Sequence, residues 1–415
     1  MITPSFSLTA TERVLPNLAL DFTTASLDAR VTFTRSGDTA TVVDSSGYIV
    51  GINANLPRFD FDPVTLFCNG LLIEEARTNI ATYSEQFDNP VWQNFETSES
   101  ANTVNSPANT LTADKIIDTN VSAVHRIKQD FTSAGTTYSM SVFAKTAEYN
   151  RFTIRALPSG NYATFDTNLG TVVASSGGTG TIVQSGNGFY RCSFVSTESA
   201  GAASFNIILN TNTGSGNQVF TGTGSFGVYI WGAQLEAGAF PTSYIPTTTT
   251  AVTRNADVAT MTGTNFSDWY NPTEGSFVVT LNQFGLATGT NAQAAIAVDD
   301  GTTGNRNWLY ARSTGDVGQN IISSGGSTIS NILSSATISI DTNFTHAISY
   351  KTNKFVYSLN AVQNGIDTAG NVPVSPTQMY IGSRSGNLAY LNGHINRIMY
   401  YPQSLTNAEL LAFSK

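Results

Sequence analysis

Short runs of alternating apolar and polar residues, separated by turn-forming clusters, recur along this sequence and constrain its fold most. In RFTIRA (151–156), Phe152, Ile154 and Ala156 alternate with polar residues, a period of two that turns one side of a strand toward a core. Clusters such as SSGGTGT (175–181) supply glycines that adopt positive φ in tight turns. The pattern predicts an all-β fold of antiparallel, jelly-roll-like β-sandwiches.

The composition supports a folded chain and argues against two classes of partner. Only 12% of the residues are charged, yet 40% are hydrophobic, which is enough to form cores. The net charge of -9, without any basic run, predicts no binding to nucleic acid. The sequence has no run of about 18 apolar residues, so we predict no membrane insertion. The N-terminal residues MITPSFSLTATERVLP lack the pattern of a secretory signal.

Two shifts in composition divide the chain into three parts. The first shift lies around residues 77–86, and the second is the threonine-rich IPTTTTAVTRNAD (245–257). We therefore predict a short N-terminal segment over residues 1–82, a jelly-roll sandwich over 83–257, and a second sandwich over 258–415.

The N-terminal segment is too short to bury much core alone. We expect the apolar faces of RVTFTR (31–36) and TATVVD (39–44) to be ordered against another chain. This expectation predicts a homo-oligomer that depends on the segment.

One short helix is predicted, in LTNAELLAF (405–413). Thr406 can cap its first turn and Glu409 can reach back, which is a capping box. Leu405 and Leu410 occupy the positions of a hydrophobic staple, so the helix is expected to cover the end of a sandwich.

The adjacent Glu74 and Glu75 in NGLLIEEARTN (69–79) raise the question of a glycosidase acid pair. Neighbours in a strand point to opposite faces, whereas such a pair must converge across a substrate, about 5–9.5 Å apart. We predict structural roles instead, with Glu75 bonded to Arg77 or to a loop backbone.

No other catalytic motif is present in the sequence. The three histidines lack metalloprotease spacing, and there is no nucleophile elbow or phosphate-binding loop. The carboxylates of Asp299 and Asp300 offer calcium a weak site, the alternative being a solvated turn. We predict no enzyme, no catalytic residue and no cofactor, although a site without a linear motif stays open.

The stretch DDGTTGNRNWLYAR (299–312) carries the candidate binding residues. If WLYAR is a strand, Trp308, Tyr310 and Arg312 share one face at a spacing near 7 Å, where rings and a guanidinium suit a sugar. The alternative places both rings in the core beneath the opposite sheet, with Arg312 at its rim. The predicted glycan-binding residues are Asp299, Asn307, Trp308, Tyr310 and Arg312.

Two parts of the chain resemble known families. LDFTTASLDARVTFTRSGDTATVVDSSGYIV (20–50), GLLIEEARTN (70–79) and YSEQFDNPVW (83–92) resemble the leader of many tailed-phage virion proteins. The residues that follow, from YSMSVFAKTAEYNRFTI (138–154) to YIWGAQLEAGAFPTSYIPT (229–247), are similar to the jelly-roll carbohydrate-binding modules of phage fibres and spikes.

The C-terminal part carries the second resemblance. FTHAISYKTNKFVYSLNAVQ (344–363), MYIGSRSG (379–386) and NGHINRIMYYPQSLTNAEL (392–410) resemble the closing strands and terminal helix of laminin-G or concanavalin-like lectin domains. The clear acidic cluster of calcium lectins does not accompany them, so the resemblance leaves calcium open.

Together these resemblances imply a non-enzymatic bacteriophage virion structural protein, a tail fibre or spike that binds host-surface glycans during adsorption. Such a protein is assembled in the host cytoplasm and exposed on the particle. It contacts other virion proteins and forms a homo-oligomer, often a trimer. The alternatives are a capsid decoration or head-fibre protein that makes mainly protein–protein contacts, and a polysaccharide depolymerase.

Overall fold

The computed structural model describes residues 15–285, 292–312 and 317–415. Almost all regular structure in these residues is antiparallel β-sheet, which confirms the predicted all-β class. Two α-helices occur in the described part, the one-turn α1 (Thr264–Ser267) and the C-terminal α2 (Asn407–Phe413), together with short 3-10 turns at Phe22–Thr24 and Gly186–Gly188.

The strands before the middle of the chain are short. They are β1 (Leu18–Asp21), β2 (Thr32–Thr34), β3 (Ala40–Val43), β4 (Ile49–Ile52), β5 (Phe59–Phe61), β6 (Cys68–Ile73) and β7 (Arg77–Asn79).

The next strands belong to the middle of the chain. They are β8 (Gln93–Phe95), β9 (Thr97–Asn105), β10 (Leu111–Asp118), β11 (Ser122–Ala123), β12 (Arg126–Ser133), β13 (Thr137–Thr146), β14 (Arg151–Leu157), β15 (Tyr162–Asp166), β16 (Thr171–Ser176), β17 (Gly178–Gln184), β18 (Tyr190–Thr197), β19 (Gly201–Asn210), β20 (Phe220–Thr221) and β21 (Gly227–Ala237).

The remaining strands lead to the C-terminal helix. They are β22 (Val252–Arg254), β23 (Val258–Thr262), β24 (Glu274–Leu281), β25 (Gln293–Asp299), β26 (Arg306–Ala311), β27 (Val317–Ser324), β28 (Ser327–Thr337), β29 (Phe344–Lys351), β30 (Lys354–Leu359), β31 (Val362–Asp367), β32 (Gln378–Ile381) and β33 (Gly393–Tyr401).

Strands β8 to β21, except the separate pair β11 and β20, form what we call the middle sandwich. Its two six-stranded sheets have the orders β17-β18-β13-β21-β10-β9 and β16-β15-β14-β19-β12-β8. Phe152, Ile154 and Ala156 are fully buried between them, as the alternation in RFTIRA predicts. Trp92 lies in the same core.

A second sandwich, here called the composite sandwich, combines strands from both ends of the described chain. One sheet has the order β31-β30-β29-β24-β33-β6-β5, with β1 also paired to β33. The other sheet has the order β2-β23-β32-β25-β26-β27-β28. Gly70, at a φ of 115°, brings β6 against β33, because any Cβ there would collide with the carbonyl of Ile395.

The composite sandwich corrects the predicted place of the N-terminal segment. Val31 and Phe33 are buried in its core, so the apolar face of RVTFTR is covered by this chain and not by another. The predicted separation of residues 1–82 from 258–415 does not hold in the sheets, because β1, β2, β5 and β6 complete them. Residues 1–14 of the predicted N-terminal segment lie outside the residues that the structure describes.

The hairpin of β3 and β4 packs on the outer face of the middle sandwich. Val43 and Ile49 contact the buried cluster that contains Trp231 and Tyr244, and the Thr41 hydroxyl donates to the carbonyl of Tyr244 at 2.6 Å. The second predicted oligomer face, TATVVD, is therefore also covered within the chain. The N-terminal segment holds the two sandwiches together.

A buried ion cluster lies where the sandwiches meet. Asp257 accepts from the guanidiniums of Arg58 and Arg35, and Glu74 pairs with Arg58 at 2.7 Å and with Arg254 at 2.8 Å. All five side chains are fully buried. Burial by itself would raise the pKa of Glu74, but the charges of Arg254 and Arg58 outweigh it and lower this pKa to about 2.

The cluster decides the roles of the adjacent glutamates. Glu74 is fully buried and also accepts from the backbone N–H of Ser243 at 2.8 Å. Glu75 points away and accepts from Arg77 Nε at 2.5 Å, the structural contact that the sequence predicts. The two carboxylates do not converge on a common site.

The C-terminal helix α2 begins with the predicted capping box. The hydroxyl of Thr406 accepts from the N–H of Glu409, and the Glu409 carboxylate accepts from the N–H of Thr406 at 2.8 Å. Leu405 and Leu410 are buried together against the outer face of the sheet that contains β24 and β29. None of the helices in the described residues is long and apolar enough to cross a membrane.

Candidate functional site

Strand β26 has two faces of different character. Leu309 and Ala311 point into the core of the composite sandwich. Trp308 and Tyr310 lie on the other face, in a separate cluster with Ala294 and other small neighbours. The period of two therefore predicts correctly that the two rings share a face, and this face is the outer side of the sheet.

The two rings stack directly on each other. Their centroids are 3.8 Å apart and their planes differ by 18°, so the predicted spacing near 7 Å does not describe the rings. No sugar ring fits between them, and together they form one thick aromatic block. We call the block and the arginines around it the platform: Trp308, Tyr310, Arg306 and Arg384.

Neither predicted environment of the rings is the observed one. The rings are not beneath the opposite sheet, yet Trp308 is only 8% and Tyr310 only 6% exposed. Part of the cover comes from the loop between β32 and β33, because Ala389 packs against the cluster and its carbonyl accepts from the N–H of Ala294 at 2.8 Å. Burial raises the pKa of Tyr310 to about 12.

Two guanidinium groups lie on the indole of Trp308. The Cζ atom of Arg306 is 4.7 Å and that of Arg384 is 5.6 Å from the ring centroid, within the range of cation–π attraction. Burial, followed by the neighbouring charge of Arg384, lowers the pKa of Arg306. Both groups remain charged at neutral pH, because arginine does not lose its proton in proteins.

These two cations have few partners in the described part of the chain. Neither forms an ion pair there. The Nε atoms of both, and the Nε1 atom of Trp308, are buried without a hydrogen-bond partner. A long 3.5 Å contact from Arg384 Nη1 to the carbonyl of Ser385 is the one guanidinium hydrogen bond of this pair among described residues.

Asp299 stands opposite Arg306 in the β25–β26 register, and its charge favours the charged form of Arg306, but the two described residues form no ion pair. Its Oδ1 atom accepts from Gln378 Nε2 at 2.8 Å and from the N–H of Gly301 at 2.9 Å. Burial raises the pKa of Asp299. This carboxylate fixes the turn after β25 and the side chain of Gln378.

Asn307 and Arg312 are the remaining predicted glycan-binding residues, and neither belongs to the platform. Asn307 belongs to the opposite face of the strand, where its Oδ1 atom accepts from Asn320 Nδ2 at 2.8 Å, so it does not join the rings. Arg312 follows the end of β26, is partly exposed, and its charge acts on Tyr310. It lies at the far end of the platform from Arg306.

Sequence reasoning missed Arg384 and Gln319 as members of this surface. Gln319 accepts from the Tyr310 hydroxyl, and Arg384 comes from a loop far along the chain. MYIGSRSG (379–386) is quoted above only for its strand pattern. The sequence around Arg384 contains no pattern that predicts its contact with the Trp308 ring.

The three histidines have structural partners. His125 contacts the carbonyls of Glu96 and Phe220, and His394 Nε2 lies 3.0 Å from Asp60 Oδ2. Burial lowers the pKa of His346 to about 3. Within the described ranges, no three His, Cys, Asp or Glu residues are grouped so that they could hold a metal ion.

No family model and no curated protein matches this chain. Among solved structures, the CBM40 module of the Ruminococcus gnavus IT-sialidase, bound to alpha2,3 sialyllactose, is 17% identical with a TM-score of 0.30 and covers 35% of this chain and 84% of its own. The NanB sialidase K499G mutant of Streptococcus pneumoniae is 14% identical with a TM-score of 0.31, over 37% of this chain and 26% of its own.

A third similar structure is the heptameric SAP-like pentraxin of Limulus polyphemus. It is 9% identical with a TM-score of 0.27 and covers 34% of this chain and 70% of its own. TM-scores this low carry no conclusion about the ligand or the activity of this chain.

Proposed function

We propose that this chain is a non-enzymatic bacteriophage virion protein, a tail fibre or spike, that binds host-surface glycans through the platform. The virion role rests on the resemblance of residues 20–257 to phage proteins. The glycan role rests on the platform, which lies outside the core of the composite sandwich. Displayed in several copies, a weak site of this kind gains avidity without tight single-site binding.

One observation carries the glycan role: two guanidiniums that form no ion pair with any described acid lie on the ring of Trp308, beside the stacked Tyr310. Sugars present hydroxyl groups that accept from N–H donors, and the buried rings hold the two guanidiniums in place. Buried arginines elsewhere in this chain, such as Arg58 and Arg254, are neutralised by acids. The platform therefore offers its donors to a ligand.

Replacing Trp308 with Ala is expected to weaken binding to host cells or to a host glycan array by about tenfold or more. The ring orients two guanidiniums through cation–π contacts of about 0.5–2 kcal/mol each. Without the ring, the two arginine side chains can adopt other rotamers, so fewer of their donors face a ligand. The measurement is the dissociation constant of the full-length protein, at a temperature where the variant is folded.

Leu309→Ala is the matched control for this change. It alters the next residue of the same strand, but on the core side, so it should cost about 2–5 kcal/mol of stability and leave the affinity of the folded protein unchanged. Equal losses of affinity in both variants would argue against the platform. A protein that binds no host glycan but assembles onto capsids would favour the decoration or head-fibre alternative.

The purified protein is expected to leave the chain length of host capsule or lipopolysaccharide unchanged. Glu74 and Glu75 do not converge, and Asp299 is held by Gln378 and Gly301, so these carboxylates do not form a glycosidase pair. Size-exclusion chromatography and a reducing-end assay measure this. Release of reducing ends that a single Asp or Glu substitution abolishes would establish the depolymerase alternative.

A further inference from the structure

We infer that Arg306 and Arg384 form a receptor for the carboxylate of an acidic sugar. This inference rests on the proposed glycan function and names the class of glycan. It follows from the number of donors, the charge and the geometry of the two side chains.

The number of unused donors is the first argument. Two guanidiniums carry about ten N–H donors, and within the described residues they make one long hydrogen bond, from Arg384 to Ser385. Arg191, another arginine without an ion pair, differs from them because it donates to the carbonyl of Thr242 at 2.7 Å and to the Ser141 hydroxyl. Within the described part of the chain, the platform arginines therefore lack the acceptors that such a side chain usually finds.

The charge of the pair is the second argument. Arg306 and Arg384 lie on the same ring, and the charge of Arg384 disfavours that of Arg306. The chain as a whole has a net charge of -9, yet none of its described acids pairs with either of them. An anion bound between the guanidiniums would relieve this repulsion.

The geometry favours a carboxylate attached to a sugar ring. A guanidinium presents parallel N–H groups that match the two oxygens of a carboxylate. The aromatic block is itself buried, so it orients the two guanidiniums through cation–π contacts and leaves the contact with the sugar to them. A polyphosphate backbone such as nucleic acid needs a run or stripe of basic residues, which this chain lacks, whereas two arginines are enough for the single carboxylate of an acidic sugar.

The test compares acidic sugars with matched neutral ones by calorimetric titration of the full-length protein at 0.15 M salt. Trigalacturonate is paired with its methyl ester and sialyllactose with lactose, so that uronic and sialic acids are distinguished. The wild-type protein is expected to bind the acidic member of at least one pair about 10- to 100-fold more tightly, as hydrogen bonds to charged groups allow.

Arg306→Ala and Arg384→Ala are expected to remove this preference, because each lowers the affinity for the acidic member more than the affinity for its neutral partner. Arg384→Lys keeps the positive charge but loses the two parallel N–H donors of the guanidinium. It should therefore retain only part of the preference for the acidic sugar. Arg397→Ala is the control, because Arg397 is half exposed, pairs with Asp21 and lies on the other sheet. Circular dichroism of each variant checks that it is folded.

Two results would overturn this inference without overturning the proposed function. One is equal affinity of the wild-type protein for the acidic and neutral members of each pair. The other is a loss of preference in Arg397→Ala as large as that in Arg306→Ala and Arg384→Ala. In both cases the proposed glycan function stands. Failure to bind any sugar of a host glycan array would overturn the proposed function together with the inference.

Discussion

A fragment of residues 258–415 is expected to be unfolded or insoluble, although the sequence alone predicts an independent sandwich there. The fragment keeps β23 to β33 but loses β1, β2, β5 and β6 from the two sheets. Far-ultraviolet circular dichroism and thermal unfolding of the purified fragment measure the outcome.

The reason is the share of the core that the first strands contribute. Seven core side chains of the composite sandwich are missing from the fragment: Leu18, Leu20, Phe22, Val31, Phe33, Leu71 and Ile73. Burial of each such side chain contributes about 1.5–3 kcal/mol, whereas a whole domain is stable by about 5–15 kcal/mol. The loss therefore matches or exceeds the stability available, and β33 and β23 gain open edges.

A matched variant separates the loss of these strands from the loss of the middle sandwich. Asn79 at the end of β7 and Val252 at the start of β22 are direct partners in an antiparallel pair. Residues 80–251 can therefore be replaced by an Asn-Gly dipeptide, which favours a two-residue hairpin turn. This shortened chain keeps all strands of the composite sandwich and is expected to fold.

The opposite pattern would contradict the composite sandwich. If the 258–415 fragment unfolds cooperatively with a near-native melting temperature, the first strands are accessory. If the shortened chain is as disordered as the fragment, the composite sandwich depends on the middle sandwich and not on β1 to β6.

Replacing Asp257 with Asn is expected to lower the free energy of unfolding by about 3–5 kcal/mol, as breaking one partner of a buried ion pair does. The carboxylate of Asp257 accepts from Arg58, from Arg35 and from the backbone N–H of Glu74. An Asn amide would place N–H donors against guanidinium donors and remove a charge that three arginines share. Urea unfolding measures the change.

Asp268→Asn is the control for this substitution. Asp268 is exposed and forms no ion pair among the described residues, so its free energy of unfolding should change by no more than about 0.5 kcal/mol. Similar values for Asp257→Asn and Asp268→Asn would show that the ion cluster does not stabilise the junction of the two sandwiches.

Several local features of this protein follow directly from its sequence. The period of two in RFTIRA predicts which residues of β14 are buried, because successive side chains in a strand alternate. The capping box of Thr406 and Glu409 predicts the start of α2, since both hydrogen bonds join residues three apart. The same alternation predicts that Trp308 and Tyr310 share a face. It also predicts that Glu74 and Glu75 diverge, which they do, although they lie between β6 and β7 and not in a strand.

Which strands pair, and what each of their faces contacts, depends on the packing of the whole chain. Leu18 is the register partner of Tyr400, and Phe33 that of Ala259, although no local pattern specifies a partner so far along the chain. Likewise, Arg384 reaches Trp308 through the loop between β32 and β33. Backbone hydrogen bonds between strands are the same for every sequence, so the choice of partner depends on how distant side chains fill a common core.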